Sequence, residues 1–448
     1  MKKALPPAAK WLLLLPLIVI PIATARILRS RQKSPVKAIE ILAPSFPVSF
    51  SFSPDSKRLV VLTSGSKNPL NTGYIYDVQT RKPLCGLIRP TTTVPPSLGG
   101  VSFTAPREPA DAIPHWSPDG NRIVSGYTDG TKGTTRTKVP LPPGTQGSVF
   151  FTNSVGKFAV WNARNGALQG QHLYAPLKEE SGGGVAFSTD GKQLIGYGRP
   201  LSRFDAKTGQ RLEVLKFGPA PGYTSAFNEK LGLFAVTSSK EKRVQVIDIK
   251  TKRVLWNWQG HDVTNLVWGN EILAVVSNEG KTVQTAPDTS HLLLWDSRTR
   301  KLLTSPAPKV KTTIGEVGFK GDGRTLFYNT YDDINGFHFM HGVITVWDYR
   351  QNRVLWNYKN TSRLYWPQWS PDGKWVSATI GSSGSSFNTG AGGQGQLLIF
   401  DGAGQLHQQV ETTREFYAWS PDSRSVATTL SGENQSSSIR ITDLNDKP

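Results

Sequence analysis

"WSPDGNRIVSG", residues 116–126, decides the fold. An aromatic residue is followed by Ser-Pro-Asp-Gly, and an apolar run begins a few residues later. Pro fixes φ, Asp bonds to its own backbone and Gly accepts a positive φ, so the stretch is a tight turn between two strands. The pattern returns as "FSPDSKRLVVLT" at 52, "FSTDGKQLIGY" at 187, "FKGDGRTLFY" at 319, "WSPDGKWVSA" at 369 and "WSPDSRSVATT" at 419. Two weaker copies, "FNEKLGLFAV" at 227 and "VWGNEILAVV" at 267, bring the number to eight.

Each copy is followed, after a variable loop, by a third apolar run that ends near an Asp, and a basic turn leads to a fourth. These runs are "GYIYDVQTRKPL", "FAVWNARNGAL", "SRFDAKTGQRL", "VQVIDIKTKRVL", "LLLWDSRTRKLL", "ITVWDYRQNRVL", "LLIFDGAGQL" and "IRITDL". Short apolar runs bounded by turn residues are strands. The unit is therefore a four-stranded antiparallel meander. One such sheet cannot bury both of its faces, but sheets arranged radially about an axis can. The chain is expected to be all-β, a β-propeller of eight blades, with seven as the nearest alternative count.

The last unit stops after its third strand, while "VKAIEILAP" (36–44) is a strand with no unit before it. This N-terminal strand is expected to complete the last blade and close the ring, which would leave no open sheet edge there.

The repeats resemble those of the WD40 family. Trp295-Asp296 and Trp347-Asp348 match its Trp-Asp dipeptide, and Gly260-His261 matches its Gly-His once. The resemblance covers about residues 36–448, although several repeats lack both signatures. It implies a rigid platform for protein binding. A second resemblance lies in "DIKTKRVLWNW" (248–258) and "DYRQNRVLWNY" (348–358), which are similar to the tryptophan motif of eight-bladed quinoprotein-type repeats. Those enzymes hold their quinone with adjacent cysteines. This chain has one cysteine, Cys85, so that constellation is missing and a non-enzymatic scaffold is implied again. A single cysteine also rules out an intramolecular disulfide framework. Within its apolar run, Cys85 is expected to be a buried, inert thiol.

The formal net charge is +19 in 448 residues. Such a surface favours acidic partners. After residue 33 the cations are scattered and form no nucleic-acid-type block, so no specific nucleic acid is expected. Residues 1–25 run from Lys2, Lys3 and Lys10 into an uncharged stretch, Trp11 to Ala25. A basic start with an apolar middle is a targeting segment. It reads either as a cleaved signal peptide, with Ala23-Thr24-Ala25 as the cleavage site, or as a single hydrophobic helix retained as a membrane anchor. Residues 26–35 form a basic linker and 36–448 the propeller. The protein is thus expected at a membrane, or exported.

In WD40-like blades the first-to-second and third-to-fourth connections share one face. Here those connections are short. The second-to-third and blade-to-blade connections hold every long insertion: 65–73, 88–115, 127–156, 278–290, 330–342 and 380–396. Loops of that length in a compact domain are commonly functional, so the long-loop face is the candidate partner surface. Its candidate contact residues are Tyr331, Phe337, His338, Phe339 and His341 in "YDDINGFHFMHG" (331–342), together with Tyr365, Trp366 and Tyr417 before first strands. His338 and His341, with Asp332 or Asp333, are an incomplete set for zinc. "GAGGQG" (390–395) leads into a strand rather than a helix and reads as a loop, not a phosphate cradle. The chain has no G-x-S-x-G elbow. No catalytic residue, metal or cofactor is assigned. The expected function is a non-enzymatic scaffold for a protein or peptide. The alternative is an enzyme or a small-ligand or metal binder at the channel mouth. The opposite, short-turn face is basic: Arg81, Lys82, Lys207, Lys250, Lys252, Arg298, Arg300, Lys301, Arg350 and Arg353 read as solvated turn charges or as an attraction to anionic lipid or polymer.

Overall fold

The structure is a computed structural model. It describes residues 39–43, 46–64, 71–88, 113–140, 148–173, 184–197, 201–215, 225–238, 242–260, 262–279, 289–303, 312–333, 339–381, 395–413, 417–431 and 437–444. The expected N-terminal helix and linker lie outside these residues, as do Phe337, His338 and His261.

Eight sheets of four antiparallel strands make up the molecule. Blade 1 is Phe46–Phe52, Arg58–Ser64, Asn71–Asp77 and Pro83–Ile88. Blade 2 is His115–Trp116, Arg122–Pro140, Ser148–Asn162 and Leu168–Leu173. Blade 3 is Gly184–Phe187, Gln193–Tyr197, Leu201–Asp205 and Arg211–Leu215. Blade 4 is Ser225–Asn228, Leu233–Ser238, Arg243–Asp248 and Val254–Gln259. Blade 5 is Asp262–Gly269, Ile272–Glu279, Thr289–Asp296 and the short Lys301–Leu302. Blade 6 is Thr313–Phe319, Thr325–Asp333, Phe339–Asp348 and Arg353–Ser362. Blade 7 is Leu364–Trp369, Val376–Ile380, Gly395–Phe400 and Leu406–Thr412. Blade 8 is Tyr417–Trp419, Ser425–Ser431 and Ser437–Asp443, with Ile39–Ala43 hydrogen-bonded to the last of these from Ile39↔Ile441 to Ala43↔Ser437.

The Ser-x-Asp turn explains why the repeat folds. In blade 2, the Ser117 hydroxyl donates to Asp119 Oδ1 and accepts from the Arg122 N–H at 2.9 Å, while the Asn121 N–H donates to Asp119 Oδ1 at 3.0 Å. Gly120 takes φ +66°. Ser188–Asp190, Ser370–Asp372 and Ser420–Asp422 repeat the arrangement, as does Ser53–Asp55 in blade 1. The polar residues of the turn thus satisfy backbone donors that would otherwise go unpaired at a strand end. At the other short connection an acid or amide closing the third strand does the same. Asp296 Oδ1 accepts from the Arg298 N–H at 2.8 Å, and Asp348 Oδ1 accepts from Gln351 at 2.9 Å. Asp348 also accepts from Arg324 Nε at 2.6 Å through Oδ2.

Hydrophobic clusters fill the space between neighbouring blades. One joins Val60, Ile75 and Leu87 of blade 1 to Ile123, Ala159 and Trp161 of blade 2. The aromatic residue before the first-to-second turn also crosses between blades. The indole N–H of Trp116 donates to Ser51 O at 3.2 Å, that of Trp268 to Ala226 O at 3.2 Å and that of Trp369 to Gly318 O at 3.1 Å. Phe52 and Trp419 are buried outright. The tryptophans of the fourth strands pack inward as well: Trp256 stacks on Trp295, and Trp356 and Tyr358 lie against Phe400 of the next blade.

Three sequence expectations need correction. Residues 127–156 are not wholly a loop: Arg122–Pro140 and Ser148–Asn162 pair along one long hairpin as far as Pro140↔Ser148. Its first strand runs through the polar "TDGTKGTTRT" (128–137), which lacks the alternation that marks a half-buried strand. The insertions at 65–73, 278–290 and 330–342 are also shorter than the sequence suggests. Asn71 begins a strand, Glu279 pairs Thr289, and Asp333 pairs Phe339. Finally, Cys85 is half-buried rather than buried, packed beside the cluster between blades 1 and 2, and burial pushes its thiol up.

Candidate functional site

The long-loop face of blades 6 and 7 gathers the described aromatic candidates. Ser362 ends the fourth strand of blade 6 and Leu364 starts the first strand of blade 7, so Arg363 alone spans the two blades. Its guanidinium lies 4.0 Å from the ring centroid of Tyr331 and 4.8 Å from that of Tyr365. The cation is held between two aromatic faces, an attraction of about 0.5–2 kcal/mol for each ring. All three side chains are half-buried.

Two features hold this group in place. Asn329, fully buried on the strand that carries Tyr331, accepts from the Glu316 N–H at 2.6 Å through Oδ1 and donates to Leu364 O at 2.9 Å through Nδ2. It thereby ties the bulged first strand of blade 6 to the start of blade 7. The second is Gly342, opposite Tyr331: a Cβ there would come within 2.6 Å of Leu364 N and 2.9 Å of Ser362 O. The connection carrying Arg363 can pass this close only over a residue without a side chain.

Trp366 has φ +50°, a left-handed conformation for a non-glycine residue that costs on the order of 1–3 kcal/mol. It sits in a bulge, since pairing steps from Tyr365↔Thr379 to Gln368↔Ser377. Tyr417 secures it. The Trp419 indole donates to Ser377 Oγ at 2.8 Å, Ser377 Oγ donates to Tyr417 Oη at 2.9 Å, and Tyr417 donates to Trp366 O at 2.7 Å. Tyr417 is fully buried, and burial raises its phenol well above the ordinary range. Its ring offers no surface to a partner, so its place in the group is to position Trp366.

Of the remaining candidates, Phe337 and His338 lie outside the described residues. His341 is exposed with φ +65°, skipped by the ladder where pairing moves from Tyr331↔Gly342 to Asp332↔Met340. Phe339 is a strand residue paired with Asp333. Among the described residues no group of three or more His, Cys, Asp or Glu is placed to hold a metal ion. Arg363 and Asn329 escaped the sequence reading. The only local sign of Arg363 was its position next to "LYW".

The short-turn face carries inter-blade grooves and cation–π contacts of its own, such as Arg58 over Trp116 at 4.9 Å and Arg122 over Phe187 at 5.0 Å. A cavity of about 950 Å³ lies between blades 2 and 3, lined by Asp119, Arg122, Asp190, Lys192 and Lys207. Arg122 ties the two blades together, donating to Ala206 O at 2.7 Å and to Gly191 O at 2.8 Å, while Asp119 and Asp190 bond within their own turns. Arg58 repeats this from blade 1 with a 2.7 Å bond to Gly120 O. Several basic turn residues have partners too, Lys252 with Glu213 and Arg298 with Glu271.

Among solved structures, the C-terminal WD40 domain of Sif2 is similar, with a TM-score of 0.55 and 15% identity over 91% of this chain and 99% of that domain. The chain has the fold of an eight-bladed WD40 propeller. At this identity the likeness concerns the fold alone. No protein-family model matches the sequence, and no curated protein matches it.

Proposed function

We propose that this propeller is a non-enzymatic interaction scaffold that binds a protein or peptide through the long-loop face of blades 6 and 7. The observation that carries the reading is the Tyr331–Arg363–Tyr365 stack beside the strained Trp366. Arginine, tyrosine and tryptophan in half-buried, pre-ordered positions are the residue types that dominate protein interfaces. A guanidinium already stacked loses little freedom on engaging a carboxylate or carbonyl. With a net charge of +19, the favoured partner segment is acidic.

The basic and apolar N-terminal segment targets the protein to a membrane, either as an anchor or as an export signal. The strand Ile39–Ala43, paired to Ser437–Asp443, closes the ring in this reading.

Crosslinking the tagged full-length protein in its own host, followed by purification, tests the interaction. A discrete protein should co-purify with the unaltered chain and be lost with Arg363→Ala and Tyr365→Ala. A partner retained by both variants would move the binding surface elsewhere. No partner in any sample would end the scaffold reading.

A further inference from the structure

Six of the eight large hydrophobic side chains exposed among the described residues share one address. Among the described residues Leu84, Leu212, Val254, Leu302, Val354 and Leu406 are exposed, Leu84 and Leu212 by 52% each. Each lies within the first two residues of a fourth strand, just past the third-to-fourth turn, in six of the eight blades. Of the two others, Leu355 follows Val354, whereas Ile88 ends the fourth strand of blade 1 at the long-loop end. First strands of successive blades touch around the centre and fourth strands form the outer sheet edges. These six residues therefore stand around the rim of the short-turn face.

Cations repeat with them. Arg211, Arg253, Lys301 and Arg353 immediately precede their apolar partners, and Lys82 precedes Leu84 by two. Lys82, Arg253, Lys301 and Arg353 have no carboxylate partner among the described residues. A soluble polyanion would require only the cations. Apolar side chains alternating with cations around one rim match a surface that is charged outside and apolar just beneath.

The chain path adds an independent argument. Ile39 pairs Ile441, near the end of the third strand of blade 8, so the outer strand Ile39–Ala43 starts at the short-turn face. The described chain therefore begins on this same rim, and the sequence before it has basic ends and an uncharged middle.

We infer that the rim of the short-turn face docks onto an anionic lipid bilayer, cations against headgroups and apolar side chains among them, which leaves the long-loop face directed away from the membrane. This inference does not depend on the identity of any partner of that face.

The test places an environment-sensitive fluorophore on single cysteines in the full-length chain carrying Cys85→Ser. Leu212→Cys and Val354→Cys report from the rim. Thr361→Cys, exposed at the other end of the strand that carries Val354, is the control. Phosphatidylcholine vesicles with phosphatidylglycerol should shift the emission to the blue at 212 and 354, with quenching by doxyl-labelled lipid and little change at 361. Salt should weaken the response. Having two rim positions keeps the test readable if one variant misfolds. No shift at either, an equal shift at 361, an equal response to neutral vesicles, or the same shift with heparin and no lipid would each overturn the inference.

Discussion

Asn329 is the residue on which the candidate site hangs. Its amide bridges two backbone groups that belong to different blades, Glu316 N–H and Leu364 C=O. Asn329→Ala leaves both without that partner in a buried place, at a cost of about 1–3 kcal/mol. Denaturant unfolding should show that loss, and partner binding should weaken as Arg363 loses its fixed setting. Unchanged stability would mean that water or a neighbour replaces the amide. Asn329 was illegible in the sequence because its two bonds join residues 13 and 35 positions away. An Asn inside "RTLFYNTYDD" gives no local sign of this. Tyr365 and Trp366 were legible as aromatics at the start of a first strand. Tyr417 showed the same local pattern, and only the packing of blade 8 on blade 7 reveals it as interior.

The repeated turn governs the next scale. The Ser117 hydroxyl, the Asn121 amides and the Arg122 charge hold the Asp119 carboxyl down at about 2. Its unfolded value is about 3.9. A carboxylate depressed in the folded state adds stability that is fully present above the unfolded value and is lost as pH falls through the folded one. Asp55 and Asp372 are lowered as well: burial opposes the shift, and the Ser53 and Ser370 hydroxyls, with backbone N–H groups, outweigh it. Thermal midpoints should therefore fall between about pH 4 and about pH 2, and Asp119→Asn should flatten that fall while lowering stability at neutral pH. An unaltered acid profile in the variant would remove Asp119 from the account. The turns were the most legible elements of the chain, since Ser, Asp and Gly act within a few residues of one another. The hairpin 122–162 was the least legible. Its ladder is set by the opposing backbone, and the Gly- and Thr-rich run 128–137 carries no face preference.

At the scale of the whole molecule, a rigid ring separates two surfaces with different chemistry. The long-loop face carries the stacked arginine, the two tyrosines and a strained tryptophan. The short-turn face carries engaged charges in its grooves and a rim of cations and exposed apolar residues. Blade number followed from counting repeats in the sequence, while the division of roles between faces needed the structure. The arrangement suits a platform held on one side and occupied on the other. Hydrogen–deuterium exchange on the full-length protein, alone and with its captured partner, tests this most directly. Protection on binding should concentrate in residues 329–333 and 362–366, with the turns at 79–83 and 250–254 unchanged. Protection confined to those turns, with 362–366 exchanging as before, would contradict the assignment of the binding face.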